Sequence, residues 1–341
     1  MNMVQTGKHA ALLGLAVFLT ACDKQSPELE LVGATMGTTY SVKIVGASEG
    51  TGTADLHRDI EQTLERLQQS MSTYIDDSEI SRFNLSRSMD WFTVSAELCG
   101  VVAEAQTISE FTDGAFDITV GPLVNLWGFG PEGAIASPAD DGAIAAKMGT
   151  VGHSHLRADC TRPALQKSVP ELYVDLSAYA KGYAVDRVYN RVAEAGFGNF
   201  LVEIGGELRS SGQNSRSKPW SIAIEIPDPL SRSIHSVVEL SGKAFATSGD
   251  YRNSFEYDGV RYSHTINPRT GRPVMHNAAS VTVVADSAAF ADAMATALLV
   301  MGPDVGVEFS NQNEIAAMFL LRTDSGFEER ASAAFEVLAR N

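Results

Sequence analysis

The chain has 341 residues, enough for one large domain or about two of ordinary size. Apolar residues make up 44% and charged residues 20%, which excludes global disorder and a multi-span membrane protein. The formal charge is −16, from 26 basic and 42 acidic residues, so nothing attracts nucleic-acid phosphates in general. An anionic ligand would need local help from a metal, a positioned lysine or a helix N-terminus.

Residues 1–21 read as a targeting segment rather than as part of the fold. Lys8 and His9 precede an apolar run from Ala10 to Leu19, and the segment ends Leu19-Thr20-Ala21-Cys22. That run is too short to cross a bilayer core of about 30 Å as a helix, but it suits a signal-peptide core. The ending resembles the bacterial lipobox, whose cysteine becomes the lipidated first residue. Asp23 resembles an inner-membrane retention signal. The expectation is a mature chain beginning at Cys22, with residues 22–30 as a polar tether and 31–341 as one catalytic unit facing the periplasm. Cys99 and Cys160 remain; an oxidising periplasm permits their pairing, and their spacing does not demand it.

Tyr40–Val45 alternates like a strand, and the small-residue loop Gly46–Thr53 follows. Ala54–Met71 carries Leu56, Ile60, Leu64 and Leu67 on one helical stripe. Ser95–Thr112 is a second helix, and Gly128–Ala145 is rich in Gly, Pro and Ala like an excursion loop. Tyr173–Leu176 reads as a short strand before the helix Ala178–Ala195. Hairpin signals then dominate: Gly205-Gly206, Gly242-Lys243 and Asp258-Gly259 each lie between apolar runs. Trp220–Ile226, Ala279–Val284 and Ala316–Leu321 add strands. Ser287 caps a helix Ala288–Met301 that Gly302-Pro303 ends. Hairpins outnumber crossovers, so the expected class is α+β, with mixed or mostly antiparallel sheets and packed helices.

Two short motifs mislead. Gly46-Ala-Ser48-Glu-Gly50 matches a serine-hydrolase elbow, but residues 50–53 separate Ser48 from the helix that the elbow requires at once. Gly128-Phe-Gly130-Pro-Glu-Gly133 matches a dinucleotide fingerprint without the strand before it or the helix after it.

Three clusters carry more. Asp292 and Thr296 are four apart, hence on one face of a helix of Ala, Met and Leu. A carboxylate with a hydroxyl suits Mg²⁺, which keeps waters and substrate phosphates as ligands; a hydrogen-bonded buried Asp is the plain alternative. Asp175-Leu-Ser-Ala178-Tyr-Ala-Lys181 sets a carboxylate before a helix and a lysine in its first turn, where a phosphate could sit. Ser263-His264-Thr265-Ile266 delivers an imidazole towards a Pro-Gly turn. Taken singly, none of these clusters names a reaction.

Taken together, ordered motifs resemble a family. Thr35-Met36-Gly37-Thr38-Thr39-Tyr40, Met71-Ser72-Thr73-Tyr74, Gly114-Ala-Phe-Asp117, Val174-Asp-Leu176 with Ala180-Lys-Gly-Tyr-Ala184, Gly205-Gly-Glu207, Ala246-Thr-Ser-Gly-Asp250, His264-Thr-Ile-Asn-Pro-Arg-Thr-Gly271 and Ala291-Asp-Ala-Met-Ala-Thr296 follow the order of the ApbE family, the FAD:protein FMN transferases. The resemblance spans nearly all of the mature chain. Asn267, where many members have Asp, and Lys181, where some carry Glu, are departures.

The resemblance implies that FAD is split at its pyrophosphate. The FMN phosphate would pass to a Thr or Ser hydroxyl of an acceptor protein, with release of AMP. It implies Mg²⁺ on Asp292, Thr296 and the Ala178 carbonyl. It also implies a flavin against Met36, Tyr74, Ala115, Phe116, Asp117, Asp175, Lys181 and Ile266. His264 is the candidate for accepting or orienting the acceptor hydroxyl's proton, since a free imidazole pKa suits that work, and the lipobox makes Cys22 the expected lipidated residue. Implied acceptors are subunits of membrane electron-transport complexes or periplasmic flavoproteins. Two other readings remain at this level: an FAD-binding or FAD-hydrolysing protein, and a serine hydrolase acting through Ser48.

Overall fold

A computed structural model describes residues 26–135, 137–228, 233–250 and 253–340. The apolar segment and Cys22 lie outside the described residues, so the signal-peptide and lipidation expectations are not addressed by it. The first strand, β1 (Glu28–Thr35), begins inside the stretch expected to be a tether, because Glu28 already pairs with Val45. Strand β2 (Thr38–Val45) follows a turn at Met36-Gly37, both with positive φ.

Helix α1 (Thr51–Met71) starts earlier than its stripe predicts and buries Leu56, Ile60, Leu64 and Leu67. After it come α2 (Glu79–Leu85), β3 (Phe92–Thr93), α3 (Ala96–Phe111) and α4 (Gly121–Leu126). The expected loop over 128–145 is a loop only to Asp140, whose side chain accepts from Ala143 N and caps α5 (Asp141–Met148). Strands β4 (Leu156–Asp159) and β5 (Ala164–Lys167) form a small sheet with β3. Residues 173–176 are extended but not a strand: Val174 bonds the Asn84 side chain through both N–H and C=O, and Asp175 N donates to Ile118 O. Helix α6 (Ala180–Glu194) comes next.

The strand-rich half comprises β6 (Phe200–Ile204), β7 (Glu207–Ser211), β8 (Trp220–Glu225), β9 (Ile234–Leu240), β10 (Ala244–Gly249), β11 (Ser254–Tyr257), β12 (Val260–Ser263), β13 (Ile266–Asn267), β14 (Arg272–Pro273) and β15 (Ala278–Ala285). Helix α7 (Ala288–Met301) has Ser287 as N-cap, and α8 (Pro303–Gln312), β16 (Ala316–Thr323), β17 (Gly326–Ala331) and α9 (Ala333–Ala339) finish the chain. The pairs at 205–206 and 258–259 do turn hairpins. Gly242-Lys243 does not: β9 pairs with β8, whereas β10 lies between β7 and β15.

The main sheet runs β1-β2-β6-β7-β10-β15-β16-β17, and every pairing in it is antiparallel. Helices α1, α3, α6 and α7 pack on one face over the largest core, while the β8–β9 ribbon and α9 bury Trp220, Ile222 and Phe335 on the other. A smaller core around Leu123, Trp127, Ile144 and Ile266 supports α4 and α5. Cys99 and Cys160 form a disulfide that ties α3 to the end of β4. No described helix is long and apolar enough to cross a membrane.

Candidate active site

Helix α7 is buried along nearly its whole length, so Asp292, at 4% exposure, needs partners. Its Oδ2 accepts the Gly182 N–H at 3.1 Å. Glycine is required there because a Cβ would stand 2.3 Å from the Ala288 carbonyl oxygen and 2.8 Å from Ala289 Cα. One turn on, Thr296 Oγ1 lies 2.9 Å from Ser248 Oγ at the end of β10. Asp292 and Thr296 thus face a cavity of about 390 Å³.

The cavity collects residues from distant parts of the sequence. Tyr74 stands at its rim; Ala115, Phe116, Asp117 and Ile118 come from the turn after α3, and Val124 and Phe129 from α4 and its exit. Asp175, Ser177, Ala178 and Lys181 line the approach to α6; Glu207, Ser248, Asn253, His264, Thr265 and Ile266 line the sheet side. Every site residue expected from sequence lies here except Met36 and Cys22. Met36 sits in the β1–β2 turn, its N–H bonded to Gln68 Oε1 at 3.0 Å.

Asp117 shapes the wall more than it offers a free carboxylate. Its Oδ1 accepts from Thr119 N and Oγ1, and its Oδ2 from His153 N. Asp175 likewise takes Ser177 N and Oγ on one oxygen.

The half-buried Lys181 stands between two buried carboxylates, Glu207 and Asp292. Lys181 Nζ bonds Glu207 Oε1, while Glu207 Oε2 is buried with no partner. Burial pushes the Glu207 carboxyl up to about 7, against the pull of the Lys181 ammonium. Burial also raises Asp292, with Lys181 and the Gly182 N–H opposing. Burial acts against the Lys181 charge, yet Asp292 and Glu207 together raise its pKa. Two carboxylates share one ammonium, so the second negative charge calls for a proton or a cation.

The donor set fits Mg²⁺ in a specific way. Among the described residues no three His, Cys, Asp or Glu side chains form a metal cluster. One carboxylate, one hydroxyl and the Ala178 carbonyl suit an ion that completes its shell with water and substrate phosphate oxygens.

His264 follows β12, and its ring Nδ1 is 2.9 Å from the Asn253 carbonyl oxygen. A carbonyl only accepts, so the ring proton sits on Nδ1 and Nε2 keeps its lone pair. Burial lowers the imidazole pKa, Asn253 and Asp250 oppose that, and Lys181 adds to it. Asp250 is no alternative base, because its carboxylate is paired with Arg322 and Arg261. Ser48 is on an exposed loop away from the cavity, and Phe129 of the Gly-rich loop packs edge-on against His264. Glu207 and Ser248 appear in the sequence only as members of the Gly205-Gly-Glu207 and Ala246-Thr-Ser-Gly-Asp250 motifs, without a site role, and no motif marks Asn253.

The chain has relatives in sequence and in fold. The ApbE family profile matches residues 36–319. A Vibrio cholerae protein named FAD:protein FMN transferase is 44% identical over 324 residues, covering 95% of this chain and 96% of its own. A Haemophilus influenzae protein of the same name is 41% identical, with 96% of each chain covered. Among solved structures, flavin transferase ApbE from Vibrio cholerae aligns with a TM-score of 0.84 at 44% identity, over 92% of this chain and 99% of that one. The apo form of Pseudomonas stutzeri flavinyl transferase ApbE aligns with a TM-score of 0.84 at 40% identity, over 93% and 98%. By sequence and fold, the chain belongs to the ApbE family.

Proposed function

We propose that the protein is an FAD:protein FMN transferase that moves the FMN part of FAD onto a Thr or Ser hydroxyl of an acceptor protein. The observation that carries this reading is a single cavity holding a hard-oxygen set (Asp292, Thr296, Ala178), a half-buried lysine and a half-buried imidazole. Relatives bearing that enzyme name match nearly end to end.

Tyr74 at the rim and Phe116 in the wall offer aromatic surface to a flat flavin or adenine ring. Asp292, Thr296 and the Ala178 carbonyl would hold Mg²⁺, which supplies charge neutralisation to the pyrophosphate when bound. Lys181 brings a fixed positive charge to the same end. His264 Nε2 accepts the acceptor hydroxyl's proton as that oxygen bonds to the FMN phosphorus. The bond from that phosphorus to the bridging oxygen breaks, and AMP leaves with both bonding electrons. The lipobox-like ending at Cys22 supports a lipid anchor and a 22–341 mature chain on the periplasmic face of the inner membrane. Acceptors there would belong to electron-transport complexes or be periplasmic flavoproteins.

The test incubates the protein with FAD, Mg²⁺ and a candidate acceptor, reading acceptor fluorescence on a denaturing gel together with AMP. His264→Ala should keep FAD affinity and lose transfer by about 10²–10⁴-fold. AMP and FMN release without acceptor labelling would favour hydrolysis instead. A His264→Ala protein that transfers at the parent rate would remove the imidazole from the mechanism.

A further inference from the structure

The Asn253 carbonyl meets His264 twice, accepting the backbone N–H at 3.2 Å and facing ring Nδ1 at 2.9 Å. Both lone pairs of that oxygen are then occupied, so the imidazole is only as well aimed as residue 253 is fixed. Asn253 itself is exposed, and its neighbour Ser254 pairs with Ser263 in the β11–β12 hairpin. Arg261 adds side-chain contacts from β12. Its Nη2 donates to the Asp250 carbonyl, and its Nε donates to Ser254 Oγ at 3.1 Å. One planar guanidinium therefore bonds both Asp250 and Ser254, the latter the immediate neighbour of Asn253.

The grip is anchored in the main sheet. The Asp250 carboxylate, 7% exposed, takes Arg322 of β16 on both oxygens, with Nη1 to Oδ2 at 3.0 Å. Asp250 N donates to Ala279 O, and Arg322 N donates to Asn277 O. The β11–β12 hairpin does not need this arrangement to close. Its strands pair in register from Ser254↔Ser263 to Tyr257↔Val260 around the Asp258-Gly259 turn.

We propose that Arg261 is a positioning residue of the active site: by clamping Asp250 and Ser254 it fixes the Asn253 carbonyl, which holds His264 with its proton on Nδ1 and Nε2 free for the acceptor hydroxyl. The catalytic half of this rests on the reading of His264 as the base.

Long-range ¹H–¹⁵N spectra of [¹⁵N]histidine-labelled full-length protein test it, with His264→Gln identifying the ring. The parent protein should show the neutral Nδ1–H form. Arg261→Gln should move the ring towards mixed tautomers and lower the transfer rate by about 10–100-fold, the scale of a small misplacement. FAD affinity should hold within about twofold, since Arg261 does not line the cavity. Arg261→Lys keeps the charge but cannot span both acceptors, and should behave like Arg261→Gln. An Nε2–H ring in the parent protein overturns the proposal without any variant, so misfolding of a mutant does not shield it. Unchanged tautomer and rate in Arg261→Gln, with His264→Ala inactive, would sink the positioning role alone. A fully active His264→Ala would instead sink the base assignment and the catalytic half with it.

Discussion

Gly182 gives its backbone N–H to the Asp292 carboxylate across a helix crossing where no side chain fits. The atoms in the way are the backbone carbonyl of Ala288 and the Ala289 Cα, so no rotamer change relieves a clash. Gly182→Ala should drive α6 from α7 and cost about 1–3 kcal/mol. It should also weaken Mg²⁺-dependent transfer beyond what the lost stability explains, since Asp292 moves with α7. Denaturant melts and Mg²⁺ titration of the rate check this. A variant of parental stability would show that the helices can part freely.

Asp292→Ala should behave differently. Removing this carboxylate leaves Lys181 and Glu207 as a one-to-one pair but takes the acceptor from the buried Gly182 N–H, so the chain should stay folded at a cost of about 1–2 kcal/mol. Mg²⁺-dependent AMP release should vanish, and Ca²⁺ should substitute poorly in the parent protein because it favours longer bonds and more ligands. Full turnover by the variant with Mg²⁺ would dismiss Asp292 as a ligand.

The transfer rate should fall in acid as the imidazole gains a proton. Burial holds the His264 pKa below its ordinary value of about 6.5, so the acid limb of kcat/KM should lie below that pH. A limb above pH 7 would point to another group.

Stability carries a separate pH signature. The Glu207 carboxyl is raised from 4.5 to about 7 in the fold, so between those values the folded state binds more protons than the unfolded chain. Its contribution is fully present below pH 4.5 and is lost as pH climbs through 7. Metal-free parent protein should therefore lose more stability from pH 5 to 8 than Glu207→Gln does. Parallel Tm curves for the two proteins would refute that.

Lys167, 1% exposed, uses all three ammonium protons on the Phe83, Ser86 and Leu172 carbonyls. Lys167→Met should cost roughly 3–5 kcal/mol, because it leaves those carbonyls buried and unpaired. The damage should reach the cavity, since Leu172 leads into the Val174–Asp175 stretch that Asn84 holds. Urea unfolding and FAD affinity measure both effects.

Signals that are local in the chain were readable in advance. Ser287 and Gly302 bound α7, and Asp258-Gly259 turns a hairpin, because caps and positive-φ turns depend on near neighbours. The clusters on α7, at the start of α6 and after β12 were readable as local groupings, but only the family resemblance joined them in one site. What failed depends on partners far away. Residues 173–176 carry a strand-like apolar pattern, but they bond to an asparagine side chain and one carbonyl. The apolar runs around Gly242-Lys243 look like hairpin arms, yet Phe245 pairs with Leu208 and Val284 in a different sheet from Val238. Glu207 could not be recognised as a buried, half-partnered carboxylate without knowing where Lys181 falls.

The cavity draws its walls from Tyr74 through to Val300. A fragment ending before α7 lacks Asp292 and Thr296 and should lose ligand binding, as should local unfolding of α7. Occupancy is therefore coupled to the global folding equilibrium. Ligand at about a hundred times its Kd adds about 2.7 kcal/mol to the resistance of the whole chain to unfolding. If the ligand is FAD, as proposed, flavin supply would act on how long the protein survives proteolysis as well as on how fast it turns over.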